Sequence, residues 1–294
     1  MNTKRTKGEK IFAVFNVLIT AIAALCCLLP FLNVLAISFS SNAQVSSGAV
    51  TFWPKDFTLT SYEYLLGKAP FWTSFGVSIQ RVLLGVTLHM FIIMITAYPL
   101  SKSPAQFKAR KYYIWYFFFT MLFGGGLIPS YMLIMSLGLM DSIWSLILPS
   151  AVPVWNIILL LNFYRTIPSE LEDAAYIDGA SHWRTLFQIY VPCSLPSLAT
   201  LTLFCTVGHW NAWFDGLIYM DDPSHYPLQS YLKTIFVDVT ALGASSDNYK
   251  LIQELSDNTI KSAQIIIATI PILMVYPFLQ RYFVTGLTLG SVKG

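Results

Sequence analysis

The sequence predicts an all-helical integral membrane protein, six transmembrane helices with one polar helical hairpin exposed on a single side. Three observations carry this. The 294 residues are 55% hydrophobic and only 11% charged, with a mean hydropathy of +0.59, whereas soluble domains carry about 25% charge. Six apolar runs are each long enough for a hydrocarbon core that needs roughly 20 residues per helix. Between the fourth and fifth runs lies Arg165 to Pro196, a stretch whose polar and capping residues fit no bilayer.

The runs are placed at Ile11 to Ile37, Val77 to Pro99, Tyr112 to Leu137, Ile143 to Phe163, Leu195 to Tyr219 and Ala263 to Phe283. The first is preceded by Lys4, Arg5, Lys7 and Lys10. It exceeds the 7 to 15 apolar residues of a signal peptide, so it reads as an uncleaved span. Lys102, Lys108, Arg110 and Lys111 join the second run to the third, Arg165 and Arg184 flank the hairpin, and Arg281 and Lys293 lie near the end. The opposite loops hold Lys55, Lys68, Lys233, Lys250 and Lys261 among many acidic residues. The positive-inside rule therefore puts both termini and the hairpin in the cytoplasm and the 221–261 segment outside. The net charge of +3 is topological asymmetry, with no basic run for nucleic acid. Cys26, Cys27, Cys193 and Cys205 fall in spans or on the reducing side, which argues against disulfides, and no zinc spacing appears.

Several positions inside the runs are chemically loaded. Arg81 shares the second run with His89; an arginine there is costly, so it either snorkels to the outer surface or faces a polar path. Gly124-Gly125-Gly126 and Pro129 interrupt the third run, which suits a gating element and equally suits close helix packing. The fourth run carries Pro149, Pro153, Trp155 and Asn156. The fifth ends in Gly208-His209-Trp210-Asn211-Ala212-Trp213-Phe214-Asp215, an exit that combines aromatic faces with hydrogen-bonding groups, as a sugar ring requires. An interfacial aromatic belt is the other reading, stronger for Trp213 than for Asn211. The candidate substrate path is Arg81, Trp155, Asn156, Trp210, Asn211, Trp213 and Asp215.

The hairpin has a readable grammar. Ser169 with Glu172 three positions on has the form of a capping box. Glu170, Glu172 and Asp173 sit where the positive end of a helix dipole favours acids, and Gly179 offers the left-handed residue that ends a helix. Ser181 can cap a second helix, in which Trp183, Leu186, Phe187 and Tyr190 form one apolar stripe before Pro192 and Pro196 close it. Because the hairpin continues the fourth and fifth spans, a force on it would turn both as rigid units. The chain has no phosphate-binding loop, no zinc-protease motif and no nucleophile elbow. Its spans hold few charges for a proton-driven carrier, so catalysis is not expected and energy is expected from a partner.

Asp173-Ala174-Ala175, three residues, Gly179, nine residues, Ile189, two residues, Pro192 resembles the E-A-A-x3-G-x9-I-x-L-P signature of permease subunits of ATP-binding-cassette importers. Asp173 replaces the usual glutamate and Val191 the usual leucine. Ile167-Pro168, Asp178-Gly179-Ala180, Trp210-Asn211 and the ending Gly286 to Gly294 extend the likeness over the whole chain, toward the shorter permease of carbohydrate importers of the maltose-transporter type and, among these, the branch for large or acidic saccharides such as alginate or pectin fragments. The resemblance implies a single type I importer permease domain over 1–294, with a coupling hairpin at 165–196 and an extracytoplasmic loop at 221–261. It implies that Glu172, Asp173, Ala174, Ala175, Asp178, Gly179, Ala180, Ser181, His182, Trp183 and Arg184 meet an ATPase subunit, and that the tail residues Gly286, Leu287, Thr288, Gly290 and Lys293 reach toward the ATPase pair. The implied partners are a second homologous permease, two ATPase subunits that hold ATP and magnesium, an extracytoplasmic solute-binding protein and a saccharide, in a bacterial inner membrane. No cofactor is expected on this chain. The competing readings are an amino-acid or peptide importer of the same superfamily and, from another class, a membrane-anchored regulator using helix-turn-helix. The acidic first helix speaks against the latter, since DNA phosphates need basic residues.

Overall fold

A computed structural model of the chain describes residues 6–242 and 257–290, and these are helical, joined by turns and one isolated bridge between Ser40 and Phe57. In chain order the helices are α1 (Lys7–Ser38), α2 (Asn42–Ser46), α3 (Thr60–Leu66), α4 (Ala69–Ser101), α5 (Arg110–Leu122), α6 (Leu127–Ser136), α7 (Val154–Tyr164), α8 (Ser169–Ile177), α9 (His182–Thr185), α10 (Val191–Cys193), α11 (Leu195–Asn211), α12 (Phe214–Tyr219), α13 (Leu228–Leu242) and α14 (Asp257–Gly290). They fall into two compact units, Met1–Lys68 with Thr234–Ile270, and Ala69–Lys233 with Pro271–Gly294.

Three helices are long and apolar enough to cross a membrane, Lys7–Ser38, Ala69–Ser101 and the Asn258–Phe278 part of α14; three bent pairs would each do so as one span. The bend of the third run is the break expected there from Gly124 to Gly126 and Pro129. α5 and α6 meet at 110°, because Gly124 to Gly126 provide no side chains to hold a helix across the join. The 3₁₀ turns Ile143–Leu146 and Leu148–Ser150 lead into α7 through a 50° bend that ends at Pro153. The fifth run is helical only to Asn211; Ala212 is extended and α12 begins at Phe214.

In the first unit, α1 opens with a full capping box, the Thr6 amide donating to Glu9 at 2.8 Å and the Glu9 amide to Thr6 at 3.3 Å. Its exit is held by the Phe39 ring between Phe57 and Tyr62 and by a 2.8 Å hydrogen bond between Ser38 and Tyr62.

The second unit is organised on α4, which packs on α7 and α11. The buried residues of α4 recur every three or four positions, Phe71, Ser74, Ser78, Arg81, Gly85, His89, Ile93, Ala97 and Leu100, so one continuous stripe faces the protein. Its C-terminal half is apolar and joins Ile157, Leu160 and Tyr164 of α7 and Leu198, Leu201 and Cys205 of α11 in one core. After Phe71 its N-terminal half is small or polar, and the small positions let neighbouring backbones approach closely. At Gly85 this approach is extreme: an added Cβ would lie 2.6 Å from Cε1 and 2.8 Å from Cδ2 of His209. Gly76, on the same helix, has nothing within 4 Å of that position. Gly85→Val is therefore expected to lower the unfolding midpoint in detergent by the equivalent of about 1–3 kcal/mol, with Gly76→Ala close to wild type; equal midpoints for the two would contradict this α4–α11 contact.

Candidate functional site

Two polar centres lie on α4, one at each end of the apolar core. The one at the C-terminal end of α4 is built around the hairpin. α8 begins at Ser169 with Pro168 as its N-cap and no side-chain cap bond, so the expected capping box is not formed. The reason is that the Glu172 carboxylate is used elsewhere. Glu172 is 6% exposed; its Oε1 accepts from the Lys102 ammonium at 2.6 Å and the Tyr176 hydroxyl at 2.7 Å, and its Oε2 accepts from the Tyr190 hydroxyl at 2.7 Å. Lys102, just past the end of α4, also donates to Tyr190 at 3.1 Å and sits 3.8 Å and 4.3 Å from the ring centroids of Tyr98 and Tyr190. Two aromatic faces and a carboxylate replace the water the ammonium has lost.

The electrostatics follow from burial against pairing. Burial alone would raise the Glu172 carboxyl; donation from Lys102, Tyr176 and Tyr190 more than offsets it and holds the group below its ordinary value. Burial draws the Lys102 ammonium down, and the carboxylate opposes that. The Tyr176 and Tyr190 hydroxyls are pushed up, first by burial and then by their bonds to Glu172, so both remain donors.

The turn of the hairpin forms as its residues dictate. Gly179 adopts φ +75°, its amide reaches the Tyr176 carbonyl at 3.0 Å and the Ala180 amide the Ala175 carbonyl at 2.9 Å, the paired closure of a helix on a left-handed residue. Ser181 accepts from the Arg184 amide at 3.4 Å and starts the second arm, which passes through a π-helical turn at Leu186–Tyr190. The predicted apolar stripe divides. Leu186 and Tyr190 are buried in the core with Tyr164, whereas Trp183 and Phe187 are exposed and stack on each other, 6.0 Å apart and nearly parallel. Asp173, Ala174, Ile177, Asp178 and Gly179 are exposed along the tip, and Ile177, at 87%, is its most protruding apolar side chain. His182 Nδ1 lies 3.0 Å from the Tyr176 hydroxyl. Glu172 and Ala175 are turned inward, so neither offers a docking contact; Glu172 instead ties the hairpin to the end of α4.

The second centre lies in the N-terminal half of α4. Arg81, 2% exposed, does not snorkel. Its Nη1 donates to Asp215 Oδ1 at 3.1 Å and to the Ala212 carbonyl at 3.4 Å, and its Nη2 to Asp215 Oδ2 and to the Leu146 carbonyl, the latter at 3.3 Å. The break after Asn211 frees the Ala212 carbonyl from its helix, and the guanidinium takes it. This bidentate pair ties α4 to the 3₁₀ turn before α7 and to α12. One helical turn or two further in, the rings of His89 and His209 lie 4.5 Å apart. A cavity of about 460 Å³ opens here, lined by Arg81, Asn156, Asp215 and the two histidines among others.

Of the predicted path, the structure gathers Arg81, Asn156 and Asp215. It separates the rest. Trp210 is 3% exposed and edge-on to Phe75, a core residue that its apolar bulk explains. Trp155 is exposed and lines a different cavity with Tyr116 and Pro149, since the helical turn points it away from Asn156. Asn211 is exposed, and Trp213 faces Lys233, whose Nζ is 5.2 Å from the ring centroid. Asp141 accepts from His225 at 2.9 Å and from the Asp221 and Asp222 amides at 3.2 Å. Of the tail, Gly286, Leu287, Thr288 and Gly290 continue α14, and Lys293 lies outside the described residues. Among the described residues no three His, Cys, Asp or Glu side chains converge as a metal site.

The sequence missed His89 and His209 as a pair. Each sits in an apolar run, where an ionisable side chain needs a partner, but 120 positions separate them.

Comparison with known proteins decides the family. Residues 4–289 match the binding-protein-dependent transport system inner membrane component. The chain belongs to this family. It is a membrane transport subunit rather than an enzyme. It is similar to protein LplC of Bacillus subtilis (strain 168), 40% identical over 98% of this chain and 97% of that one, and to the polygalacturonan/rhamnogalacturonan transport system permease protein YtcP of the same organism, 39% identical over 92% and 94%. A chain from the crystal structure of a bacterial ABC transporter involved in the import of the acidic polysaccharide alginate superposes with a TM-score of 0.82 at 33% identity, covering 96% of this chain and all of that one.

Glu172→Gln is expected to strand a buried ammonium and lower stability by about 3–5 kcal/mol, and Lys102→Met on the same background to recover most of it, read as detergent unfolding midpoints. The folded carboxyl titrates below its ordinary 4.5, so the pair's contribution is present above about pH 4.5 and is lost as pH falls through the folded value. The wild-type midpoint should thus drop on acidification more than that of the double variant; parallel curves would contradict the assignment.

Proposed function

We propose that the chain is one transmembrane subunit of an ATP-driven importer that carries an oligosaccharide, of the kind released from an acidic polysaccharide, into a bacterial cell by alternating access. The observation that carries this reading is likeness over nearly the whole length to a polygalacturonan/rhamnogalacturonan permease and to a chain of an alginate importer. On this reading the chain lies in the inner membrane with both termini in the cytoplasm, pairs with a second, homologous permease and receives its cargo from a solute-binding protein on the 221–261 side. ATP and magnesium belong to the two ATPase subunits.

The exposed tip from Asp173 to Arg184 is the ATPase contact in this proposal, with Ile177 and the stacked Trp183 and Phe187 as its apolar part and Asp173 as its charge. Glu172 acts one step behind the contact. It fastens the hairpin to the end of α4, so a displacement of the tip reaches three elements: α7 and α11 through the chain, and α4 through the ion pair. Tyr176 and Tyr190 stiffen that connection by filling the remaining acceptor positions of the carboxylate.

The test is a reconstituted complex with its cognate partners in proteoliposomes. Uptake of tetragalacturonate, driven by ATP and the binding protein and absent with amino acids or peptides, is the expected result; uptake of amino acids or peptides alone would replace the carbohydrate reading by its rival. In the same assay Gly179→Pro, which removes both the left-handed residue and the amide that closes α8, should cut transport at least tenfold while the complex still assembles. Full transport by this variant would remove the hairpin from the coupling path.

A further inference from the structure

His182 starts the second arm of the hairpin and is exposed, and its neighbours fix which of its ring nitrogens carries the proton. The Tyr176 hydroxyl has a single hydrogen and gives it to Glu172 Oε1 at 2.7 Å. That direction is not reversible, because an ionised carboxylate only accepts, and the donors around Glu172 hold it ionised. His182 Nδ1 lies 3.0 Å from the same hydroxyl oxygen. With its hydrogen directed at Glu172, Tyr176 offers the ring only lone pairs, and a lone pair on Nδ1 at that distance would repel them. Nδ1 therefore carries the proton and donates to Tyr176. The Tyr98 hydroxyl approaches Nδ1 only to 3.5 Å, too long to compete with the shorter contact. In the neutral ring the other nitrogen, Nε2, is then an acceptor. Among the described residues the hydrogen bonds of this ring are made at Nδ1.

The surroundings decide what can meet Nε2. His182 lines a cavity of about 640 Å³ with Tyr98, Lys102, Phe107, Tyr176 and Trp183 among others, so a partner's side chain has room to reach the ring while the Lys102–Glu172 pair stays intact. The titratable groups packed around the ring are the Tyr98 hydroxyl and the Lys102 ammonium from the end of α4, and the Tyr176 hydroxyl and the Glu172 carboxylate from α8. Lys102 and Glu172 neutralise each other. On the ring's own arm Arg184 is turned to Gln188 at 2.8 Å, and Asp178, in the turn, is exposed. A second proton on the ring would change Nε2 from acceptor to donor and add a positive charge beside a pair that is already balanced.

We infer that His182 is a positioning residue of fixed polarity: its Nδ1–H holds Tyr176 on the Glu172 anchor, and its Nε2 accepts a hydrogen bond from a donor side chain of the ATPase subunit. A partner docked at the tip is then joined to the end of α4 through one chain, His182 to Tyr176 to Glu172 to Lys102. The inference rests on the proposed ATP-driven function and adds to it the chemistry of the partner's group and a dependence on pH. An imidazole changes charge between about pH 5 and 8. Acidification puts a donor where the partner's donor must come, so coupling falls as pH falls.

The full complex, with its second permease, ATPases and binding protein, is reconstituted in proteoliposomes, and tetragalacturonate carried per ATP hydrolysed is measured with the ATPase side at about pH 8 and at about pH 6. Wild type, His182→Gln and His182→Asn are compared. Glutamine places a carbonyl near Nε2 that does not protonate in this range; asparagine keeps an amide donor near Nδ1 and leaves nothing at Nε2. The wild-type ratio should fall about fivefold between the two conditions, the loss of one hydrogen bond. The Gln ratio should stay within about twofold of its own value, and the Asn ratio should be low at both, by the same hydrogen-bond arithmetic. Ring-nitrogen NMR of the complex with labelled histidine, with the His182 signals assigned by their loss in the Gln variant, should show the proton on Nδ1 at the higher pH. A proton on Nε2 there, or the same pH dependence in wild type and Gln variant, would overturn the inference and leave the proposed function standing. No uptake of the saccharide by wild type at either pH, together with no ATP hydrolysis stimulated by the binding protein, would overturn the function reading and this inference with it.

Discussion

The buried pair of Lys102 and Glu172 is the interaction on which the hairpin end of the second unit depends. A lysine and a glutamate taken out of water do not stabilise a protein unless every donor and acceptor is used. Here they are: the carboxylate accepts from three groups, and the ammonium is covered by two aromatic faces. The geometry works only if the end of α4, the first arm of the hairpin and the second arm keep a single arrangement. The pair thus converts a polar excursion from the membrane into a part with one position. In the proposed importer such a part can pass on a push, because a packed element moves as a unit.

The Arg81 centre follows the same physics with a different outcome. Arg81 and Asp215 pair through both Nη atoms, and the pair also joins three elements, but Arg81 Nε and the Nε2 atoms of the two histidines beside it have no hydrogen-bond partner within the described residues. A closed network and an open one therefore lie on the same stripe of α4, separated by the apolar turns around Ile93 and Ala97. Gly85 belongs to the open end, where the absence of a side chain allows a ring from α11 to lie against the helix.

Much of this was legible in the sequence. Helical class, six apolar runs, the hairpin and its turn at Gly179 all come from local chemistry: run length, capping residues and the left-handed preference of glycine. What stayed illegible depends on partners far along the chain. Ser169 and Glu172 have the spacing of a capping box, and only the arrival of Lys102, seventy positions earlier, explains why Glu172 turns inward instead. Trp210 and Asn211 are neighbours with opposite fates, because one helical position faces Phe75 and the next does not. The alternatives for Arg81 were decided by Asp215, which periodicity alone could not pair with it. The resemblance implies that the hairpin is a contact surface; it does not distinguish its exposed residues from Glu172, which is buried.

The account stands or falls on whether the hairpin and the end of α4 move together. The direct measurement is the distance distribution between spin labels at Ser103 and Asp178, both exposed, in the assembled complex with the four native cysteines replaced. A single narrow distance that persists from the nucleotide-free to the vanadate-trapped state, and broadens when Glu172 is changed to Gln, is the predicted result. A wild-type distance that changes between those states, with the same change in the Gln variant, would show that the ion pair does not fasten the hairpin and would contradict the account.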